Sequence, residues 1–389
     1  MTSSQLPAAT PEALAASHEL VERIRNAIAA RDGWLPFSDY MRMALYEPGL
    51  GYYSGGATKF GEAGDFVTAP ELSPLYGACI ATSVAQVLQT LGTGDVLEFG
   101  AGTGKLAAQI LTELERLDTL PRHYYIVDLS AELKERQRAT LHALVPHLAD
   151  KVVWLDSLPQ QFTGFVVGNE VLDAIPCALI YNSEDGELLE RGVVWRDNAL
   201  AFDDRPLADS PLRDAAQALE LPSDYLTEIQ PELPGFIAST AHLLQRGAAL
   251  FIDYGFPAIE YYHPQRKQGT LMAHYRHHSM TDPFYLPGLA DLTCHVDFTA
   301  VYQQGADHGL QLEGYVSQAQ YLLNAGLTAR LAAVGPDNIK QYAPVAAAVQ
   351  KLTSPAEMGE LFKVIAFSKN LELSTMLAGF EHGDDSYKL

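Results

Sequence analysis

The sequence predicts an α/β fold with a Rossmann-like parallel sheet, on three observations. A short apolar run at residues 95–97 is followed by a glycine-rich turn. The next segment, residues 105–114, places its apolar side chains on one helical face. Further short apolar runs, most ending in an acidic or polar residue, alternate with helical segments up to residue 253. Strands that alternate with helices form parallel sheets, whose ligands bind beyond the carboxyl ends of the strands.

The remaining elements follow from the same periodicities and from turn residues. Strands are predicted at residues 123–128, 151–158, 164–168, 248–253 and 362–368. Helices are predicted at residues 18–30, 36–45, 75–91, 130–144 and 231–245, the fourth with Ser130 as its N-cap. The dipeptide Asp185-Gly186 predicts a β-hairpin within residues 178–204. Residues 1–17, rich in Ala, Ser and Pro, are predicted to be disordered.

The glycine-rich turn has the sequence Glu98-Phe99-Gly100-Ala101-Gly102-Thr103-Gly104. Glycines adopt positive φ and let a ligand lie against the backbone at a helix N-terminus. A P-loop is excluded, because Lys105 is followed by Leu106 instead of Ser or Thr. A dinucleotide fingerprint matches formally from Gly102 to Ala107, and a purely structural turn is a further alternative.

The complete pattern of the turn favours S-adenosylmethionine. Glu-x-Gly-x-Gly-x-Gly is the first motif of S-adenosylmethionine-dependent methyltransferases, and Glu98, Gly100, Gly102 and Gly104 fit it in full. This cofactor has no pyrophosphate, so the turn packs against its amino acid and ribose. We expect Glu98, at the end of the strand, to help orient the cationic ligand.

Four further residues are predicted to contact the cofactor. Asp128 ends the second strand, where a carboxylate accepts hydrogen bonds from both ribose hydroxyls. Asp156 ends the third strand and is placed to accept from the adenine amino group, or else is a strand-end turn acid. Asn169 is expected to orient its loop or to hold the methionine end of the cofactor. Asp65 either closes over the cofactor or forms a turn.

Several motifs together resemble those of one methyltransferase family. They are Gly64-Asp65-Phe66-x-Thr68-x-Pro70-Glu71-x-Ser73, Glu98-Phe99-Gly100-x-Gly102-x-Gly104, Asn169-Glu170-x-x-Asp173-Ala174-x-Pro176, Asp253-Tyr254-Gly255 and Asp291-Leu292-Thr293-x-His295. The chain resembles MidA-like methyltransferases over residues 35–370. This resemblance implies a class I methyltransferase sheet with an N-terminal helical extension and with inserted hairpin and lid segments. Mitochondrial members are complex I assembly factors that dimethylate an arginine of a complex I subunit, which implies an arginine acceptor here.

The resemblance and the predicted elements divide the chain into four segments. Residues 1–74 form an N-terminal extension with a cofactor-covering loop, and residues 75–180 form the first half of the methyltransferase domain. Residues 181–230 form an inserted β-hairpin subdomain for the substrate, and residues 231–389 form the second half of the domain. Residues 256–315 are long, aromatic and rich in His, and we expect them to fold over the active site as a lid.

Two acids after the fourth strand are the predicted catalytic pair. A guanidinium is protonated at physiological pH, and paired carboxylates can bind two of its nitrogens and aim a third at the methyl group. Glu170 and Asp173 stand where other arginine methyltransferases carry such acids. In the alternative, Glu170 binds backbone amides beneath the loop and Asp173 caps the next helix.

One of the histidines within residues 263–295 is a third predicted catalytic residue. His274, or alternatively His295, is expected to hydrogen-bond near the substrate or to accept the proton released as the product neutralises. No Cys or Glu completes a ligand set with these histidines, and methyl transfer requires no ion. We therefore expect no metal.

Composition narrows the partners. With 26 basic and 48 acidic residues, the net charge of −22 argues against nucleic acid or a membrane as the main partner and suits a partner protein that presents a basic, arginine-containing segment.

Three widely separated cysteines, and the absence of Lys and Arg from residues 1–16, predict a cytoplasmic protein. A homodimer is compatible with the sequence. Two other functions stay open: a methyltransferase for a small amine, and a cofactor-binding assembly protein without turnover.

Overall fold

The structure is a computed structural model that describes residues 6–55, 68–335 and 337–389. Its helices are α1 (Pro11–Ala29), α2 (Phe37–Tyr46), α3 (Ala69–Leu72), α4 (Pro74–Leu91), α5 (Lys105–Arg116), α6 (Ala131–Leu144), α7 (Pro211–Ala218), α8 (Leu233–Leu243), α9 (Ala258–Tyr261), α10 (Phe298–Asp307), α11 (Gln318–Asn324), α12 (Leu327–Val334) and α13 (Ile339–Thr353). Its strands are β1 (Leu35–Pro36), β2 (Asp95–Phe99), β3 (Tyr124–Val127), β4 (Val152–Leu155), β5 (Phe162–Asn169), β6 (Ala178–Asn182), β7 (Leu188–Arg196), β8 (Ala199–Pro206), β9 (Tyr225–Ile229), β10 (Leu244–Phe256), β11 (Met272–Tyr275), β12 (His278–Met280), β13 (Asp291–Thr293), β14 (Val296–Asp297), β15 (Gln311–Ser317) and β16 (Phe362–Lys369).

The described residues form two compact units, each assembled from three stretches of the chain. The insertion unit takes its described residues from Met1–Phe66, Asp173–Leu233 and Ile259–His295. The sheet unit takes its described residues from Val67–Leu172, Pro234–Ala258 and Val296–Leu389. The insertion unit therefore combines parts of the predicted N-terminal extension, of the inserted hairpin segment and of the lid segment.

The sheet unit is built on an eight-stranded sheet within the part of the chain that the structure describes. The strand order is β15-β16-β10-β5-β2-β3-β4, with β14 paired to β10. Strands β4, β3, β2, β5 and β10 pair in parallel, whereas β16 and β15 are antiparallel to their neighbours. All five residues of β2 are buried, as expected for a parallel strand in a helix-covered sheet. The α/β prediction with a Rossmann-like sheet is confirmed.

Local sequence signals account for several of the element boundaries in the sheet unit. Ser130 caps α6 as predicted, because its hydroxyl oxygen accepts the Leu133 N–H over 3.2 Å. Helix α4 begins at Pro74, and Gly92, at φ +76, ends it in the left-handed conformation. The predicted late strand is β16, which pairs antiparallel with β10 from Gly247 to Tyr254.

One prediction for the N-terminus was wrong. Helix α1 begins at Pro11, inside the segment predicted to be disordered, and runs to Ala29. Thr10 caps the helix by accepting the Ala13 N–H over 3.2 Å, and Pro11 occupies the first helical position. The alanines of this segment favour a helix, and the buried side chains of α1 begin at Ser17. The apolar period is sparse before that residue, which explains the late predicted start.

The insertion unit contains the predicted hairpin. Strands β6 and β7 pair antiparallel, and Gly186, at φ +79, lies in the turn between them. A second tight turn joins β7 to β8 through Asp197 and Asn198, both at positive φ. Strands β1 and β9 complete this sheet, and β11, β12 and β13 form a smaller one. In the described segments, no helix is both long enough and apolar enough to cross a bilayer.

Candidate functional site

The glycine turn joins β2 to α5 with three glycines in the left-handed region. Their φ angles are +60° at Gly100, +53° at Gly102 and +84° at Gly104. A Cβ added at Gly100 would lie 2.9 Å from Cγ1 of Val171, so this glycine packs closely against the segment after β5. A Cβ added at Gly102 would meet nothing within 4 Å. The turn is therefore tightly packed on one side and faces open space at Gly102.

Gln137, a buried residue of α6, hydrogen-bonds to the glycine turn. Its Nε2 donates to the carbonyl oxygen of Gly102 over 3.1 Å and to Oδ2 of Asp128 over 2.8 Å. Its Oε1 accepts the indole N–H of Trp154 over 2.8 Å. One amide thus connects the glycine turn, the acid after β3 and strand β4. The sequence placed Gln137 in the predicted helix at residues 130–144 without giving it a role, because its partners lie far away along the chain.

Asp128 lies directly after β3, as predicted. Its Oδ1 accepts the Ser130 N–H over 2.9 Å. Burial raises the pKa of this carboxyl, although the hydrogen bonds from Ser130 and Gln137 partly oppose the rise. The two bonds fix the carboxylate next to the glycine turn, and its predicted ribose contact stays a prediction.

Glu98 lies inside β2 with 1% of its surface exposed. Its Oε2 accepts the hydroxyl of Tyr124 over 2.8 Å. Burial raises the pKa of Glu98 to about 8; the Tyr124 hydrogen bond partly offsets the rise, and the charge of Asp128 adds to it. In this structure the carboxyl group is bound to Tyr124. Its role in orienting the ligand stays a prediction.

Asp156 follows β4 on the surface, where 95% of its side chain is exposed. Its Oδ1 accepts from Nζ of Lys134 over 2.6 Å. The predicted hydrogen bond with the adenine amino group stays a prediction. Asp65, the other predicted residue of this set, lies outside the described residues.

Asn169 and Glu170 stand at the carboxyl end of β5, the strand that pairs with β2. Glu170 has φ +55, a conformation that residues other than glycine rarely adopt. Its N–H donates to the Ile252 carbonyl over 2.8 Å, and its Oε1 accepts from Nδ2 of Asn169 over 3.0 Å. Oδ1 of Asn169 in turn accepts the hydroxyl of Tyr76 over 2.5 Å. Hydrogen bonds on both backbone and side chain thus hold the half-buried acid in a strained conformation.

Glu71, on the short helix α3, contacts the glycine turn. Its Oε1 accepts the hydroxyl of Thr103 over 2.5 Å, and its Oε2 accepts from Nζ of Lys105 over 2.5 Å. Gln109 on α5 also contacts α3, because its Nε2 donates to the Pro70 carbonyl over 2.8 Å. The sequence motif drew attention to Glu71 but gave no indication of these partners.

The other predicted catalytic residues belong to the insertion unit. Asp173 is buried, and its carbonyl oxygen accepts the Cys294 N–H over 3.2 Å. The helix that Asp173 was alternatively expected to cap is absent from residues 171–177, all of which the structure describes. His274 lies on β11 with its Nδ1 3.2 Å from Oγ of Ser279, and burial lowers its pKa. Burial, with the charge of Arg266, lowers the pKa of His295 to about 4.

The sheet unit fits an amphipathic, cationic cofactor. Open space at Gly102 admits a ligand against the backbone, and the half-buried Asp128 carboxylate offers acceptors to hydroxyl groups. Lys105, the first residue of α5 after the turn, is already paired with Glu71. Across the described ranges, no group of three or more His, Cys, Asp or Glu side chains could hold a metal ion.

Comparison with known proteins defines the class. A family model of S-adenosyl-L-methionine-dependent methyltransferases matches residues 79–316, which include the glycine turn, Asp128 and Glu170. A crystal structure of a Burkholderia thailandensis protein bound to S-adenosyl-homocysteine is 51% identical in sequence. The match covers 99% of this chain and 100% of that one, with a TM-score of 0.95. The chain is thus a methyltransferase whose cofactor is S-adenosylmethionine.

Curated relatives narrow the class to a family. The mitochondrial protein arginine methyltransferase NDUFAF7 homolog of Drosophila melanogaster is 28% identical, over 92% of this chain and 87% of its own length. The mitochondrial protein arginine methyltransferase NDUFAF7 of Rattus norvegicus is 27% identical, over 86% of this chain and 81% of its own length. Together with the motifs and the family model, these matches show that the chain belongs to the MidA-like family of S-adenosylmethionine-dependent methyltransferases.

Proposed function

We propose that this methyltransferase acts on an arginine side chain of a partner protein. The observation that carries the proposal is the position of Glu170, which is held at the end of β5 beside the glycine turn by Ile252 and Asn169. A carboxylate fixed next to a cofactor loop is suited to bind a guanidinium through two parallel hydrogen bonds. The strained backbone of Glu170 supports a functional role, because such conformations cluster at active sites.

Methyl transfer depends more on aligning an arginine nitrogen with the methyl group of the cofactor than on activating the methyl group. The bound cofactor supplies a methyl group on a positively charged sulfur. Glu170 would neutralise the guanidinium and orient one nitrogen at about 3–3.5 Å from the reacting carbon. Asn169 is a positioning residue, because its Nδ2 fixes one oxygen of Glu170 while Tyr76 fixes Asn169 itself.

Residues of the insertion unit extend the proposal. Asp173 would supply the second acid for the guanidinium. Burial lowers the pKa of His274 and so favours its neutral form, which could accept the proton that the substituted guanidinium releases.

Relatives and charge support a protein acceptor. The similar proteins of Drosophila melanogaster and Rattus norvegicus are named protein arginine methyltransferases. The net charge of −22 favours a basic partner segment. Assembly of complex I, implied by the family resemblance, and a cytoplasmic location belong to the same proposal.

The test measures transfer of a tritiated methyl group to arrays of basic peptides in which each arginine is either kept or replaced by lysine. We expect label on the arginine peptides, and its loss in Glu170→Gln, while calorimetry shows unchanged binding of S-adenosylhomocysteine. Glu357→Gln, which changes an exposed acid of the sheet unit, is the matched control. In a parallel assay with small amines, label on an amine and on none of the peptides would favour the small-amine alternative. Binding without any label would favour an assembly protein without turnover.

A further inference from the structure

The contact between α3 and the glycine turn has a feature that methyl transfer itself does not require. The carboxylate of Glu71 binds both Thr103 and Lys105, each over 2.5 Å. Only 8% of the Glu71 side chain is exposed, compared with 39% of the Lys105 side chain. The acid is therefore largely buried against Thr103 and Lys105 and is less able than the lysine to exchange its partner for water.

The charge of Lys105 matters because of where it stands. Lys105 is the single cationic residue of the segment 98–105, and it occupies the first position of α5. A helix N-terminus already carries partial positive charge, which an unpaired ammonium group would increase. Such a site would suit an anion, and the sequence Gly104-Lys105 occurs in loops that bind phosphate. Glu71 cancels this charge locally.

We propose that Glu71 is a specificity-determining residue that neutralises Lys105, so that the glycine turn favours cationic S-adenosylmethionine over the neutral-sulfur product S-adenosylhomocysteine. The two ligands differ by one methyl group and one positive charge. The ratio of their affinities therefore reports the electrostatic potential of the site, while contacts with the shared adenosine and amino acid cancel. The proposal rests on the cofactor and holds whichever acceptor is methylated.

The experiment is a mutant cycle read by calorimetry. Dissociation constants for S-adenosylmethionine and S-adenosylhomocysteine are measured at one fixed, low ionic strength for wild type, Glu71→Gln, Lys105→Met and the double variant. In Glu71→Gln the amide oxygen can still accept from Thr103, but Lys105 loses its counter-charge. We expect the affinity ratio to shift about three- to tenfold toward S-adenosylhomocysteine, because the lysine is partly exposed and screened by solvent. Lys105→Met in the same background should restore the wild-type ratio.

The single variant Lys105→Met should shift the affinity ratio in the opposite direction. It leaves Glu71 unpaired, so we expect the ratio to shift toward S-adenosylmethionine, and this arm remains available if Glu71→Gln fails to fold. Asp385→Asn, which breaks the 2.9 Å pair with Lys388 in the same unit, is the matched control and should leave the ratio unchanged.

A role limited to shaping the turn predicts a different result. Both affinities would then fall by the same factor in Glu71→Gln, and Lys105→Met would not restore them. Equal changes, or an unchanged ratio in either single variant, would overturn the proposal. A ratio that shifts in both predicted directions would support it without reference to any acceptor.

Discussion

Oδ2 of Asp253 accepts the backbone N–H of Leu172 over 2.8 Å, which ties β10 to the turn that follows Glu170. Oδ1 of the same carboxylate accepts the Tyr254 N–H over 3.0 Å. Asp253 is fully buried, and these two hydrogen bonds provide a partner for each of its carboxyl oxygens. The neighbouring Ile252 carbonyl accepts the Glu170 N–H, so two successive residues of β10 hold the segment from Glu170 to Leu172.

We expect Asp253→Ala to lower both stability and turnover. The buried Leu172 N–H would lose its acceptor, at a cost of about 1–3 kcal/mol in the free energy of unfolding, measured by urea denaturation. Turnover at saturating cofactor should fall about 10- to 100-fold, because a small displacement of Glu170 misaligns the acceptor. Asp337→Ala, at an exposed position, is the control. Wild-type turnover in a folded Asp253→Ala protein would contradict this support of Glu170.

Gln137→Met should weaken cofactor binding while keeping the volume of the side chain. Methionine cannot donate to the Gly102 carbonyl or to Asp128, and it offers Trp154 only a weak acceptor. We expect the dissociation constant for S-adenosylhomocysteine to rise about tenfold, which corresponds to about 1.4 kcal/mol, by calorimetry. Gln341→Met, at an exposed position on α13, should bind normally. Equal binding by both variants would show that the amide does not organise the turn.

Gly102→Val should block the cofactor, because the added side chain would enter the open space at the turn. Gly92 offers a matched control: it also has positive φ, +76, and a Cβ there would likewise meet nothing within 4 Å. Gly102→Val and the control Gly92→Val should each destabilise the protein by about 1–2 kcal/mol through backbone strain. Only Gly102→Val should lose binding of S-adenosylhomocysteine. Retained binding in that variant would place the ligand away from Gly102.

Glu98 predicts a pH dependence of stability. Its pKa is about 8 in the folded protein and about 4.3 in an unfolded chain, so between these values the folded protein holds the extra proton. Its contribution to stability is complete below pH 4.3 and is lost as the pH rises to 8, by up to about 1.4 kcal/mol per pH unit. Glu98→Gln removes this titration. We expect the melting temperature of the ligand-free wild type to fall relative to Glu98→Gln between pH 5 and pH 8, and a constant difference would contradict the assignment.

The sequence predicted the sheet and the turn because their signals are local. The Ser130 cap, the Asp185-Gly186 turn and the glycine turn each depend on residues only a few positions apart. The side-chain contacts that organise the site were not predictable in this way. Gln137 is 17 residues from Trp154, and Glu71 is 34 residues from Lys105.

Hydrophobic periodicity predicts the start of a helix less well where small residues dominate. The first two turns of α1 contain several alanines, whose helix propensity is high but whose apolar pattern is indistinct. The cap at Thr10 and the proline at position 11 were the available signals for the start of this helix. The division into units was also not local, because each unit draws on three separated stretches of the chain.

The place of β16 in the sheet has a consequence for synthesis of the chain. β16 lies between β10 and β15, although it is the last strand in the sequence. Until Lys369 has left the ribosome, β10 is an edge strand, with unpaired backbone groups along one side and an apolar run at residues 248–252. During synthesis the nascent chain thus exposes an aggregation-prone strand until β16 has emerged, and a chaperone that covers β10 over that interval would lower the risk of aggregation.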